Sequence, residues 1–319
     1  MDKPSLTIIS EKWCDLNPQS TPSINFNTIY KTALSSNLFS SIQYLHLEDI
    51  YNQYYIHIDN YLLNQKLHKQ TDLYYISWIG SHELNPTNRS LTKIPGKKVF
   101  NWPDLVWPWI YQCLDQTNEA ATFHTAYDTF NYEGISNYIT PKKLYLFGTP
   151  QDPTLFYKQE PKDIDVLFSG AEYPDRKPYI DKLRSLPKEI KTYIGTGQRI
   201  NALTVEDYAG LVRRAKIVVN LPMSPTGINT IKGRVFEALA SKALLLELKN
   251  EGTEVLFKPN EHYIEFTNED EMVGKIKYSL EHYMDMPSIA DAGYYYYLQN
   301  YSAQVYWSNI LKTAGLNEQ

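Results

Sequence analysis

The sequence predicts an α/β protein of two doubly wound domains facing each other across a cleft. Two observations carry that expectation. Short apolar runs alternate with helix-like segments along the chain, the pattern of parallel sheets covered on both faces. A proline-rich, charged stretch, TPQDPTLFYKQEPKD, interrupts the alternation midway and reads as a linker. With 319 residues the chain is long for one core and comfortable for two. The boundary is placed near residue 158, giving domains 1–158 and 159–319.

The C-terminal half shows the pattern most plainly. DVLFSG (165–170) is an apolar run ending in glycine, and the polar helical stretch RKPYIDKLRSL follows. KTYIGTG (191–197) repeats the arrangement with VEDYAGLVRRA as its helix. KIVVNLP (216–222) is a third strand, joined by a Gly/Pro/Ser loop to the helix GRVFEALAS. ALLLEL (243–248) and HYIEF (262–266) complete the set, and the amphipathic NEDEMVGKIKYSLEHY comes after them. In the N-terminal half the candidate strands are LTIIS (6–10), IQYLHL (42–47), DLYYISWI (72–79), KKVFNW (97–102), AATFHTAY (120–127) and KLYLFG (143–148). YIHIDNYLLNQKLHKQ is among the helical stretches between them. Residues 287–316 are helical, rich in aromatic side chains, and placed to pack back on the first domain.

Hydrophobic residues at 43% and charged residues at 21% mark a globular chain with material for real cores. A formal net charge of −5 weighs against a protein that grips nucleic-acid backbone, so no stable nucleic-acid partner is expected. Cys14 and Cys113 form no CxxC pair and read as reduced thiols of a cytoplasmic protein. The opening MDKPSLTIIS has too short an apolar run for a signal peptide. No run approaches the ~20 apolar residues of a membrane span, so no transmembrane segment is expected. Tyrosine is abundant at 27 copies, and the run Tyr294–Tyr297 reads as a packed or half-buried helix face.

The stretch KGRVFEALASKALLLEL (232–248) carries the most chemistry. In an open α/β sheet, ligands sit beyond the carboxyl ends of the strands, and PMSPTGINTIKG (222–233) occupies that place. On a helical wheel Val235, Phe236, Leu239 and Ala240 form an apolar arc. Arg234, Glu237 and Ser241 fall opposite, on the face away from the sheet. Helix N-termini attract anions, arginine supplies planar donors for phosphate, and a carboxylate one turn on suits the paired hydroxyls of a ribose. Together they fit a nucleoside diphosphate. The competing reading is a solvated helix face with an ordinary Arg–Glu pair, worth less than ~1 kcal/mol.

KGRVFEALASKALLLE resembles the donor-binding segment of GT-B glycosyltransferases, nearest to the group 1 and spore-maturation-type domains, where an R-x-F-E-A-x-A-type helix precedes a strand. Further likenesses follow in order. ATFHT (121–125) is similar to the family strand that ends in a functional histidine, and LFGTPQDPTLFYK (146–158) to the interdomain linker. FSGAEYPDRK (168–177) is similar to the first C-domain strand with its basic loop, YIGTG (193–197) to a V-G-x-G turn, and YAGLVRRAKIVVNLP to the segment before the donor loop. The resemblance covers about residues 120–300, and 1–119 fit at the level of architecture.

That resemblance implies the GT-B fold, with a Rossmann-like acceptor domain first and a Rossmann-like donor domain second. It implies transfer of a hexosyl group from a UDP- or GDP-sugar to a hydroxyl of a glycan, lipid-linked or protein acceptor that the sequence does not identify. The sugar nucleotide is a co-substrate, and neither cofactor nor metal is implied. Glu237 matches the glutamate that hydrogen-bonds the ribose, a bond of ~1.5–3 kcal/mol. Arg234 and Arg176 become candidates for the diphosphate, Arg176 standing six residues after Gly170 where the family commonly has lysine. His124 matches a histidine beside the donor sugar, there to bind the sugar or to position the acceptor hydroxyl. The alternative for His124 is a structural histidine at a strand end.

Three departures qualify the likeness. The basic residue expected directly after Gly170 is Ala171, so Arg234, Lys177 or Lys232 must complete the diphosphate clamp. Plain solvent exposure is the simpler reading of the two lysines. The first glutamate of the E-x7-E pattern, which touches the donor sugar, is Asn229, which can still donate and accept. A retaining mechanism therefore loses support. The loop after the first strand, EKWCDLNPQSTPSINF, has no glycine. An inverting reaction needs a base, for which Asp15, Glu83, Asp104 and His124 are available. DID (163–165) is similar to a metal-binding D-x-D but precedes a strand and reads as chance, and FNWPDLVWPWIY (100–111) reads as core. The rival functions are a nucleotide-sugar 2-epimerase, a non-catalytic nucleotide- or glycan-binding relative, and a phage-type DNA-base glycosyltransferase.

Overall fold

A computed structural model describes residues 3–10, 26–46, 58–77, 91–102, 117–126, 133, 136, 143–196, 203–225, 227–283 and 287–316. The chain divides into two compact units at Gly148–Thr149, not near residue 158, and Ala303–Gln319 belongs to the first. The proline-rich stretch is therefore part of the second unit. Its apolar residues anchor it: Leu155 and Phe156 are buried. Asp152 turns the chain there by accepting from the Thr154 backbone N–H at 2.9 Å and from its hydroxyl at 2.7 Å.

The first unit is built on strands β1 (Ser5–Ser10), β2 (Ser41–His46), β3 (Leu73–Ser77), β4 (Lys97–Trp102), β5 (Phe123–Ala126) and β6 (Leu144–Leu146). All lie within or next to the apolar runs of the sequence, and they pair in parallel in the order β2-β1-β3-β4-β5-β6. Helices α1 (Phe26–Ser36) and α2 (Ile58–Asn64) belong to the crossovers. Sequence reasoning does not single out α1, whose FNTIYKTALSS is crowded with Asn, Thr and Ser, poor helix formers on their own. Ile29 and Ala33, one turn apart and both buried, hold it by packing.

The second unit carries β7 (Ile164–Ser169), α3 (Lys177–Arg184), β8 (Thr192–Gly195), α4 (Val205–Arg214), β9 (Ala215–Asn220), α5 (Gly233–Ala240), β10 (Leu244–Leu248), α6 (Glu251–Leu256), β11 (Ile264–Phe266), α7 (Glu269–Glu281) and α8 (Pro287–Asn300). Its sheet is parallel in the order β8-β7-β9-β10-β11. On one face Val166, Phe168, Ile217, Val219, Leu244 and Leu246 join Ile180, Leu183, Met272 and Ile276 in a single apolar cluster. On the other, α5 lies against the strands and is itself covered by α4 and α8. Lys162, buried beneath, donates to the Arg213 carbonyl at 2.8 Å and the Ser241 carbonyl at 3.1 Å. One ammonium thus satisfies the carboxyl ends of α4 and α5, where helix dipoles favour a cation.

The last helix, α9 (Ala303–Ala314), completes the first unit's core. Trp307 is fully buried, 5.3 Å from the Phe39 ring and 5.1 Å from the Tyr75 ring, and its indole N–H donates to Thr32 Oγ1 at 3.1 Å. Tyr306 and Tyr75 share a hydroxyl–hydroxyl hydrogen bond of 2.7 Å. Among the described residues no helix is long and apolar enough to cross a membrane.

Candidate functional site

In the second unit the chain leaves β7 toward one edge and β9 toward the other, so the carboxyl ends of these neighbouring strands form the topological switch point where open α/β sheets bind ligands. Gly170 follows β7 there. A Cβ added to it would stand 2.9 Å from the Arg234 Nη2 and 3.2 Å from the Arg176 Nη1. Two guanidiniums therefore meet over a glycine that leaves room for both.

Arg176 is 4% exposed and spends its donors on backbone. It donates to the carbonyls of Ala171 (3.1 Å) and Leu221 (2.8 Å) and to that of Met223, with Tyr173 stacked 4.7 Å from the guanidinium carbon. Burial and the neighbouring Arg234 pull its pKa down to about 10, so it stays charged at neutral pH. Its grip braces the loop after β9. That loop folds on itself through Ser224 N–H to the Ile228 carbonyl and Thr230 N–H to the Pro222 carbonyl, turning at Gly227, whose φ of +75° suits glycine. Asn229 stands opposite Met223 in this loop and is exposed.

Arg234 opens α5 and is half-buried. It donates to Asn220 Oδ1, and its guanidinium carbon lies 5.7 Å from the Phe168 ring. The N-cap residue, Lys232, makes no side-chain capping bond, and the positive end of the helix lies beside Arg234. Glu237, one turn on, is 2% exposed. Tyr208 of α4 donates to its Oε2 at 2.5 Å. Burial pushes the Glu237 pKa up to about 7 against the opposing pull of Tyr208 and Arg234. The expected solvent-facing polar stripe is thus corrected: Ser241 is fully buried as well, because α4 and α8 cover the helix side that a wheel assigns to water.

Behind Arg234 lies a second buried carboxylate, Glu247 of β10, whose pKa burial lifts to about 8. Asn220 and Glu247 are polar residues at the carboxyl ends of strands that are apolar apart from Lys216, the sequence signal that marks them. Tyr208 carries no such signal among 27 tyrosines.

The other sequence-derived candidates fall apart from this group. Lys177 is exposed and pairs with Asp181 at 2.6 Å. Lys232 is half-buried beside Thr230, to whose hydroxyl it donates. The two aspartates of DID are engaged by cations, Asp163 with Arg214 and Asp165 with Lys216, each at 2.7 Å. Asp15, Glu83 and Asp104 lie outside the described residues.

His124 belongs to the first unit. It is the second residue of β5, in register with Phe100 and Leu144, and fully buried rather than at the strand's end. The Trp102 indole N–H donates to its Nδ1 at 3.1 Å. Since an indole only donates, the neutral ring must carry its proton on Nε2, an atom buried without a partner among the described residues. Burial, helped by the charge of Lys143, pulls its pKa down to about 3. At neutral pH this neutral imidazole can donate from Nε2.

Residues 156–312 match the family described as glycosyl transferase-like. Solved structures of similar fold include Anabaena HepE in complex with UDP and glucose, at 12% identity and a TM-score of 0.66 over 98% of this chain and 99% of that one. A glycosyltransferase from Rickettsia africae aligns at 11% identity and 0.67 over 98% of each chain. Sucrose-phosphate synthase from Thermosynechococcus elongatus aligns at 9% and 0.64, over 97% of this chain and 98% of that one. At such identities the likeness is one of fold. No curated protein matches the sequence.

Proposed function

We propose that the chain is a GT-B glycosyltransferase whose second unit holds a nucleotide-diphosphate sugar at Arg234 and Glu237, a reading supported by the glycosyl transferase-like match of residues 156–312. The observation that supports this most is their geometry. A half-buried guanidinium and a helix start stand at the switch point, with a buried carboxylate one turn behind. A diphosphate meets the guanidinium and the helix N–H groups. The ribose hydroxyls meet Glu237. Breaking the sugar–phosphate bond builds negative charge on the departing nucleoside diphosphate, and Arg234 with the helix N-terminus stabilises that charge as it forms. In this reading the leaving group needs no metal. Arg176 holds the loop that carries Asn229 and contributes charge at short range instead of a direct clamp.

UDP is the nucleotide we favour, because Anabaena HepE, of the same fold, was solved with UDP and with UDP-glucose. Thermal melts with UDP, GDP, ADP and CMP test the site on wild type and Glu237→Ala. A ligand at about 100 times its dissociation constant adds ~2.7 kcal/mol, a shift of a few degrees. One diphosphate should raise the midpoint of the wild type and leave the variant unmoved. No shift with any of the four would remove the donor site from this helix.

A further inference from the structure

We infer that Asn220 and Glu247 are positioning residues that hold the Arg234 guanidinium ready for the donor diphosphate. This rests on the donor site proposed above. The two residues are register partners on the adjacent strands β9 and β10, and both are fully buried. One pair back on the same face stand Val218 and Leu245, the kind of pair that packing alone selects. Placing an amide and a carboxylate there weakens a core unless their hydrogen bonds are made.

Those bonds have one possible polarity. A guanidinium only donates, so Arg234 fixes the Asn220 amide with Oδ1 toward itself. The amide nitrogen is thereby turned to Glu247 and donates to Oε2 at 2.7 Å. Oε1 of the same carboxylate takes a bond from Thr253 Oγ1 at 3.2 Å, and Thr253 accepts from Asn250 Nδ2 at 3.0 Å. Every donor in the chain points toward Glu247, from Arg234 on one side and from the start of α6 on the other. The ionisable groups set against Glu247 are Arg234, Arg176 and Tyr263. The carboxylate anchors the amide, and the amide anchors the arginine while its Nη2 lies over Gly170. A long side chain held in one rotamer before binding loses less entropy when the ligand arrives.

The test measures dissociation constants for UDP and GDP on wild type and on Asn220→Ala, Glu247→Ala, Glu247→Gln, Arg234→Ala and the Arg234→Ala/Asn220→Ala double variant. With the nucleotide that the wild type binds, Asn220→Ala and Glu247→Ala should each weaken affinity about tenfold or more. Glu247→Gln keeps an acceptor for the Asn220 amide and should recover most of that loss. The double variant should bind no worse than Arg234→Ala alone. A purely structural role predicts a lower melting temperature, affinity within twofold of wild type and additive losses, and that result overturns the inference. If Asn220→Ala does not fold, Asn220→Ser carries the same comparison. A wild type that binds neither nucleotide would count against the donor site itself, which is a different failure from a wild type that binds and variants that bind equally well.

Discussion

At the carboxyl edge of the first sheet, Asn101 donates to Ser77 at 3.0 Å and accepts from Thr125 at 2.9 Å, a neutral chain of hydrogen bonds across three strands. At the same edge of the second sheet, an amide is held between a guanidinium and a buried carboxylate, with a second guanidinium and a second carboxylate close by. Both sheets begin with the same strand order, second-first-third-fourth-fifth, and so create the same crevice. The backbone topology offers a place for a ligand twice. The side chains decide what kind of ligand each place takes, and among the described residues only the second gathers two guanidiniums beside a helix start. Burying two carboxylates beside two arginines adds little to stability once their desolvation is counted. On the donor-site reading proposed above, a charged ligand gives that arrangement its reason.

The largest expected effect breaks the comparison at its charged side. Arg234→Ala should slow transfer from a UDP-sugar by about 100-fold or more, as loss of a preorganised donor to a developing anion does elsewhere. Release of UDP measures it, and a rate within tenfold of wild type would deny the second edge its anion. Trp307→Ala tests the core of the first unit. Emptying the space among Phe39, Tyr75 and Tyr306 should cost about 3–5 kcal/mol in denaturant melts. The folded fraction should bind UDP as the wild type does, and a loss of affinity would show that the two units are not independent.

Two buried carboxylates and one buried histidine respond to acidity with opposite sign. Glu237 and Glu247 have raised pKa values, about 7 and about 8, so at these two groups the folded second unit binds more protons than the unfolded chain. Their contribution is complete below about 4.5 and is lost as pH rises toward 7 and 8. His124 has a lowered pKa, about 3, so its contribution is complete above about 6.5 and is lost as pH falls. Melts of ligand-free protein from pH 4 to 9 should show both limbs, a few degrees each. Glu247→Gln should flatten the alkaline limb alone. The smallest effect belongs to Asp163→Ala. Its pair with Arg214 is about half exposed and worth less than ~1 kcal/mol, and transfer should respond to Mg2+ as the wild type does. A changed metal response would revive the D-x-D reading.

Much of this was legible in the chain. All described strands fall at apolar runs that the alternation singles out, since a strand buried on both faces needs a continuous apolar stretch whatever its partners. Arg234 and Glu237 are recognisable from their place at a helix start and Gly170 and Arg176 from the family resemblance, and the structure draws the four into one neighbourhood. The helix α1 escaped, because its residues have weak intrinsic preference and packing supplies the rest. The boundary near 158 was misplaced, because proline and charge mark irregular backbone without saying which core it is pinned to.

The amino-acid order by itself determined the two parallel sheets, the helix that begins with Arg234, and the residue types that suit a nucleoside diphosphate. These depend on local periodicity and on neighbours a few residues away. Only the tertiary structure decided that Glu237 is buried, that Asn220 bridges Arg234 to Glu247, that Arg176 grips backbone carbonyls, and that His124 keeps its proton on Nε2. Burial and hydrogen-bond polarity are set by groups distant in sequence, such as Tyr208 for Glu237 and Trp102 for His124, and a wheel drawn for one helix has no knowledge of the helix that covers it.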